Sequence, residues 1–135
     1  MRVVADSHAL YWYLISPDRL SDAALNALGE AEDTDGIAVS ALTVPELWMA
    51  TTRKRGARAI PRSGYEIVRS ALLDPTNALE VAPLDAAAWR HFEALPRSIT
   101  DPMDGLIVAT AQALGVTLVT RDRRIMEAGV VDVTW

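Results

Sequence analysis

Short apolar runs punctuate this chain, and two of them lead into an acid: RVVA runs into Asp6, and VTLVT into Arg121 and Asp122. The runs are too short for helices and too uniformly apolar for strands with one wet face, so they read as strands buried on both sides. Helix-patterned segments separate them. Strands joined by helical crossovers imply a parallel sheet with helices on both faces, and in such sheets ligands gather beyond the carboxyl ends of the strands. The acids that follow the runs therefore fall where a site belongs.

The other segments fit this scheme. SHALYWYLI is a helix that stops at Ser16-Pro17, a second helix spans Ser21 to Ala31, and EDTDG is a loop before the strand IAVS. The pattern from Thr43 to about Arg55 is helical and ends at Gly56. Ser63 to Leu73 is a helix closed by the Asp74-Pro75 turn. ALEVAPL is a third strand, and DAAAWRHFEAL a helix begun by Asp85. After the helix that TDPMDGLIVATA opens, Gly115 makes the turn into VTLVT. RDRRIMEAG is a short helix and VVDVTW the last strand. We expect a three-layer α/β/α domain over residues 1–135, with no internal repeat or linker.

Half of the sequence is hydrophobic, enough for a real core, and there is no cysteine, which excludes disulfides and thiolate metal sites and fits a reducing cytoplasm. The first residues lack a signal peptide's uninterrupted apolar region, and no run approaches membrane-spanning length. A net charge of -5 argues against nucleic acid as a partner, unless several of the acids are metal ligands. Basic residues are also uneven: Arg53, Lys54, Arg55, Arg58 and Arg62 share one stretch.

Four acids stand beyond strands or at helix heads. Asp6 follows the first strand, Glu46 lies in the first turn of an apolar helix beside Pro45, and Asp122 follows VTLVT. Asp104 begins a helix whose Met103, Leu106, Ile107, Thr110, Ala113 and Leu114 form a wide apolar stripe. Each has a plain structural alternative, since aspartates cap helices and a glutamate on an amphipathic helix can face water. Asp101, followed by Pro102, has the ordinary pattern of a helix cap, with a supporting role beside the site as the alternative.

A carboxylate in a nearly all-round apolar helix needs a partner, and no lysine or arginine stands three or four residues beyond Asp104. A cation would serve. Oxygen-only ligands suit Mg²⁺ or Mn²⁺, and His8 and His91 have no zinc-ligand spacing. Ser7 and Thr120 place hydroxyls beside two of the acids. Carboxylates holding Mg²⁺ at a sheet's carboxyl edge point to phosphoryl chemistry.

The stretches VVADSHALYWYL, VSALTVPEL, DPMDGLIVATAQALGVTLVTRD and VVDVTW, in this order and spacing over essentially the whole chain, resemble PIN-domain proteins, in particular the VapC-type toxins of toxin-antitoxin modules. The resemblance implies a Mg²⁺- or Mn²⁺-dependent endoribonuclease with strand order 3-2-1-4-5. Asp6, Glu46, Asp104 and Asp122 match the family's four acids. It further implies an RNA substrate, 5′-phosphate and 3′-hydroxyl products, a homodimer, a small antitoxin seated in an apolar groove, and contact with operator DNA only through that antitoxin. Ser7 stands where many relatives have Thr, and Gly105 where many have Arg, which leaves a basic contact missing.

Phosphate contacts would come from Arg53, Lys54, Arg55 and Arg58, or from Arg121, Arg123 and Arg124 around Asp122, the latter adjoining an assigned acid. Tyr11, Trp12, Tyr13, Trp48 and Met49 are candidates for the groove or a dimer surface, with core packing as the alternative. A haloacid-dehalogenase phosphatase would need an aspartate where His8 stands, and a receiver domain a lysine partner other than Lys54. The remaining rival is a non-catalytic PIN-like or partner-binding module whose acids are helix caps.

Overall fold

The structure, a computed structural model, describes residues 1–53 and 59–135. Lys54, Arg55 and Arg58 lie outside the described residues. The chain runs β1 (Val3–Ala5), α1 (Ser7–Ile15), a 3₁₀ turn (Pro17–Arg19), α2 (Asp22–Asp33), β2 (Ile37–Ser40), α3 (Thr43–Thr51) and α4 (Arg62–Leu73). It continues with β3 (Leu79–Ala82), α5 (Ala86–Glu93), α6 (Pro102–Leu114), β4 (Thr117–Val119), α7 (Arg123–Ala128) and β5 (Val133–Thr134). The five strands form one parallel sheet in the order β3-β2-β1-β4-β5, as expected. Among the described residues no helix is long and apolar enough to cross a membrane.

Register explains the two cores. Val3 pairs with Ile37 on one side and Thr117 on the other, so the central strand is hydrogen-bonded along both edges. Successive side chains point to opposite faces. Val3, Ala5, Ile37, Val39 and Val119 join a core with residues of α1, α2, α3 and α4, whereas Val4, Ala38 and Leu118 pack with Ile107, Val108 and Ala111 of α6 and Ile125 of α7. α5 packs against α6 and completes the second helical layer.

Several boundaries have local causes. α3 ends at Thr51, short of Arg55: the hydroxyls of Thr51 and Thr52 donate to the carbonyls of Trp48 and Met49, and the Thr52 N–H turns back to Met49. Side chains that compete for the last carbonyls favour termination. At the far end of α4, Asp74 accepts from both the N–H and the hydroxyl of Thr76, which holds its carboxyl below the usual range and sets the turn into β3. α6 stops where Gly115 takes the left-handed conformation, φ 66°.

The burial of α6 goes beyond its apolar stripe, as expected of a helix apolar almost all round. Gly105 and Ile107 through Ala111 are buried, while Leu114 is exposed, because the helix is gripped by the sheet on one side and by α5 on the other. Of the aromatics left open between a groove or dimer surface and the core, Tyr11 and Trp12 belong to the first core, and Tyr13 is half-buried against it. α1 is apolar on all sides, so its sequence gives no inward direction. Trp48 and Met49 are exposed.

Candidate active site

The site is built where β1, β2 and β4 end. The Asp6 N–H extends the β1–β4 ladder by donating to the carbonyl of Val119, 3.1 Å away. That places the Asp6 carboxylate at the start of α1, where Oδ1 accepts from the Ala9 N–H at 2.7 Å and Oδ2 accepts from the hydroxyl of Thr120. Thr120 is fully buried, and its oxygen also accepts from the Asp122 N–H at 3.1 Å. One hydroxyl thus joins two acids that are far apart in sequence. Burial pushes the Asp6 carboxyl up, and the charge of Asp122 adds to the rise, against hydrogen bonds from Thr120, Ala9 and His8 that favour the ionised form.

Glu46 enters from α3. Thr43, at the start of that helix, is buried, Pro45 is exposed, and Glu46 is half-buried. Its Oε2 accepts from the Ser7 hydroxyl at 2.7 Å, which ties α3 to α1 across the ends of β2 and β1. Asp104 comes from the first turn of α6, and Asp122 from the head of α7.

A cleft of about 430 Å³ brings all four acids together: Asp6, Glu46, Asp104 and Asp122 line it, with Ser7, His8, Trp12, Asp101 and Ile107. Arg121, Arg123 and Arg124 stand on the same walls. Among the described residues no three acidic or histidine side chains stand close enough to be direct ligands of one ion. Arg53 is exposed and is not part of the cleft.

Capping and site placement, set apart as alternatives from the sequence, coincide here. Asp6 and Asp122 are the N-caps of α1 and α7, and both line the cleft. Asp101 caps α6 through Oδ1, at 2.8 Å from the Met103 N–H and 3.4 Å from the Asp104 N–H, and it too lines the cleft. Glu46 and Asp104 lie in first turns whose N-caps are other residues.

Two lining residues escaped the sequence reading. The sequence sets His8 aside as a zinc ligand and leaves Trp12 between a surface and the core, neither in the site. Their i, i+4 spacing was the available signal, because it puts both rings on one side of α1, 5.6 Å between centroids. Trp12 also carries the guanidinium of Arg121 over its face, 4.6 Å from the ring centroid. Gly105, noted for the absent arginine, is buried against α5. A Cβ there would stand 2.9 Å from the Phe92 ring, so this packing has no room for a longer side chain.

Residues 3–130 match the PIN domain family. The chain is 38% identical over 124 residues to Ribonuclease VapC22 of Mycobacterium tuberculosis, an alignment covering 91% of this chain and 88% of that protein. Among solved structures, VapBC2 from Rickettsia felis bound to a DNA fragment from its promoter is similar with a TM-score of 0.71 at 17% identity, over 98% of this chain and 97% of that one. DNA-bound VapBC from Salmonella typhimurium gives a TM-score of 0.70 at 15% identity, over 98% and 96%. At these identities the two structures speak to the fold.

Proposed function

The chain belongs to the PIN domain family, and on that premise we propose that it is a Mg²⁺- or Mn²⁺-dependent endoribonuclease, the toxin of a type II toxin-antitoxin pair. The observation that carries this reading is the convergence of Asp6, Glu46, Asp104 and Asp122, from four separate segments, on one cleft walled by three arginines. Likeness to a named ribonuclease supports the RNA substrate. Likeness to VapBC complexes supports a small antitoxin partner, and their bound DNA supports contact with an operator through that antitoxin. A homodimer and a cytoplasmic setting complete the proposal.

The donor set fits a hard divalent cation: every acid offers oxygen, no thiolate is present, and burial of Asp6 beside Asp122 leaves negative charge to be compensated. Mg²⁺ keeps several waters and is held through one or two carboxylates at a time, which agrees with four acids spread around a cleft. Asp6, Glu46, Asp104 and Asp122 would hold it, one or two of them directly and the others through its waters. When bound, the cation supplies Lewis-acid stabilisation of charge on the phosphoryl oxygens.

The chain's own residues do the rest. Thr120 and the Ala9 N–H fix the Asp6 carboxylate, and Ser7 fixes Glu46, so neither must reorganise when substrate arrives. Arg121 and Arg123 draw the RNA phosphate toward the acids. Water attacks phosphorus in line, a carboxylate of the set takes its proton, and the bond to the 3′ oxygen breaks, that oxygen taking up a proton from solvent, which leaves 5′-phosphate and 3′-hydroxyl ends. Two of the four acids cap no helix, which favours this reading over a binding module whose acids are only caps.

Purified protein should cleave single-stranded RNA in Mg²⁺, lose that activity in EDTA, and regain it on adding Mg²⁺ or Mn²⁺. Cleavage that persists in EDTA would overturn the metal assignment.

A further inference from the structure

Beyond the acid cleft lies a second cavity of about 760 Å³ between α7 and β5, and Arg121 and Arg123 line both. From this shared wall the geometry points to the second cavity as a nucleoside subsite, taking the base of the nucleotide next to the cleaved phosphate in single-stranded RNA. The inference rests on the ribonuclease reading above.

The cavity has the parts such a ligand needs. Trp135, Val131, Val133 and Met126 offer an aromatic ring and aliphatic walls for an unstacked base, and Asp132 offers a carboxylate to its amino groups or to the ribose hydroxyl. Arg121 and Arg123 separate this chamber from the acids, so a phosphate gripped between them has the acids on one side and its nucleoside on the other. The pair of shared guanidiniums is what favours RNA over an apolar protein segment, which has no charge to match them.

The floor is fixed in advance. Trp12 is buried, and on it rest the Arg121 guanidinium, 4.6 Å from the ring centroid, and the Trp135 ring, 5.9 Å between centroids. Arg19 approaches the same ring at 5.4 Å. The phosphate-gripping arginine and the stacking tryptophan thus share one rigid support, which lowers the ordering cost of binding.

The test is the affinity of a fluorescein-labelled single-stranded RNA dodecamer, measured by anisotropy with all variants carried on Asp104→Asn to prevent cleavage. Base stacking on an aromatic ring predicts binding weakened about tenfold by Trp135→Ala and largely restored by Trp135→Phe. Met126→Glu, a change at an exposed position of α7, puts a carboxylate into the cavity and should weaken binding similarly without lowering the melting temperature. Trp89→Ala, on exposed α5 outside both cavities, should change nothing. Unchanged affinity in both Trp135→Ala and Met126→Glu overturns the subsite and leaves the cavity to a protein segment, while cleavage by the wild type keeps the ribonuclease reading standing. Trp135-dependent binding without cleavage by the wild type keeps the subsite and overturns the hydrolase. Absence of RNA binding altogether overturns both.

Discussion

At the head of α6 two aspartates stand three residues apart, and at the head of α7 one stands alone, yet the capping geometry is the same. Asp101 and Asp122 each accept from the second and third helical N–H groups, at 2.8 and 3.4 Å in both cases. The difference lies at the third helical position. In α6 it is Asp104, which lines the cleft; in α7 it is Ile125, buried in the second core. Where the third position is needed for packing, the cap itself must serve the cleft. Where it is not, holding the helix and holding the chemistry fall to different residues.

The sharpest way to break this comparison is Asp104→Asn. It should lower metal-dependent RNA cleavage by at least about a hundredfold, while the melting temperature stays within the small range of changes that touch no cap. Asp122→Ala should do two things at once, removing activity and costing about 1 kcal/mol of stability; Asp122→Asn, which keeps a capping oxygen, should regain the stability but not the activity. If Asp122→Ala lost activity at unchanged stability, or stability at unchanged activity, the two duties would not be joined at Asp122.

Asp101→Ala should show the opposite profile, with a melting temperature lower by about 3 to 5 °C for a loss of about 1 kcal/mol and cleavage largely kept. Loss of all cleavage with an unchanged melting temperature would move Asp101 from the helix to the chemistry.

The smallest effect concerns pH. A carboxyl whose pKa is raised by folding favours the folded state below its unfolded pKa and opposes it above the folded one. Asp6's contribution to the stability of the metal-free protein should therefore rise as pH falls from neutral through its raised pKa. Added Mg²⁺ should flatten this rise, and Asp6→Asn should remove it. Thermal melts of wild type and Asp6→Asn from neutral to acid pH measure it, and a difference between the two that does not change with pH would contradict the cause assigned to Asp6.

Sequence served some features well for reasons the structure makes plain. β1, β2 and β4 are buried on both faces, so their runs are uninterrupted, and Ser21, Asp85 and Asp101 stand at caps with their side chains bonded as their positions suggested. The acids were legible because a parallel sheet presents whatever follows its strands at one edge. What could not be read was mostly direction. The all-apolar α1 left Tyr11 and Trp12 open between core and groove, and the stripe on α6 counted Leu114 inward, where it is exposed. Nor could a one-dimensional reading foresee that Asp6 would divide its oxygens, one for α1 and one for Thr120. That division depends on a strand pairing, and pairings across 114 residues leave no local trace.

The same pairing sets a schedule during synthesis. β1, α1, β2 and α3 can pack as they emerge, bringing Ser7 to Glu46, but Asp6 has no Thr120 beside it and no Asp122 opposite until β4 and α7 have been made. Closing so long a loop is also slow, because its entropy must be spent before the contacts form. The charged end of the sheet is therefore completed late, only after β4 and α7 have been made.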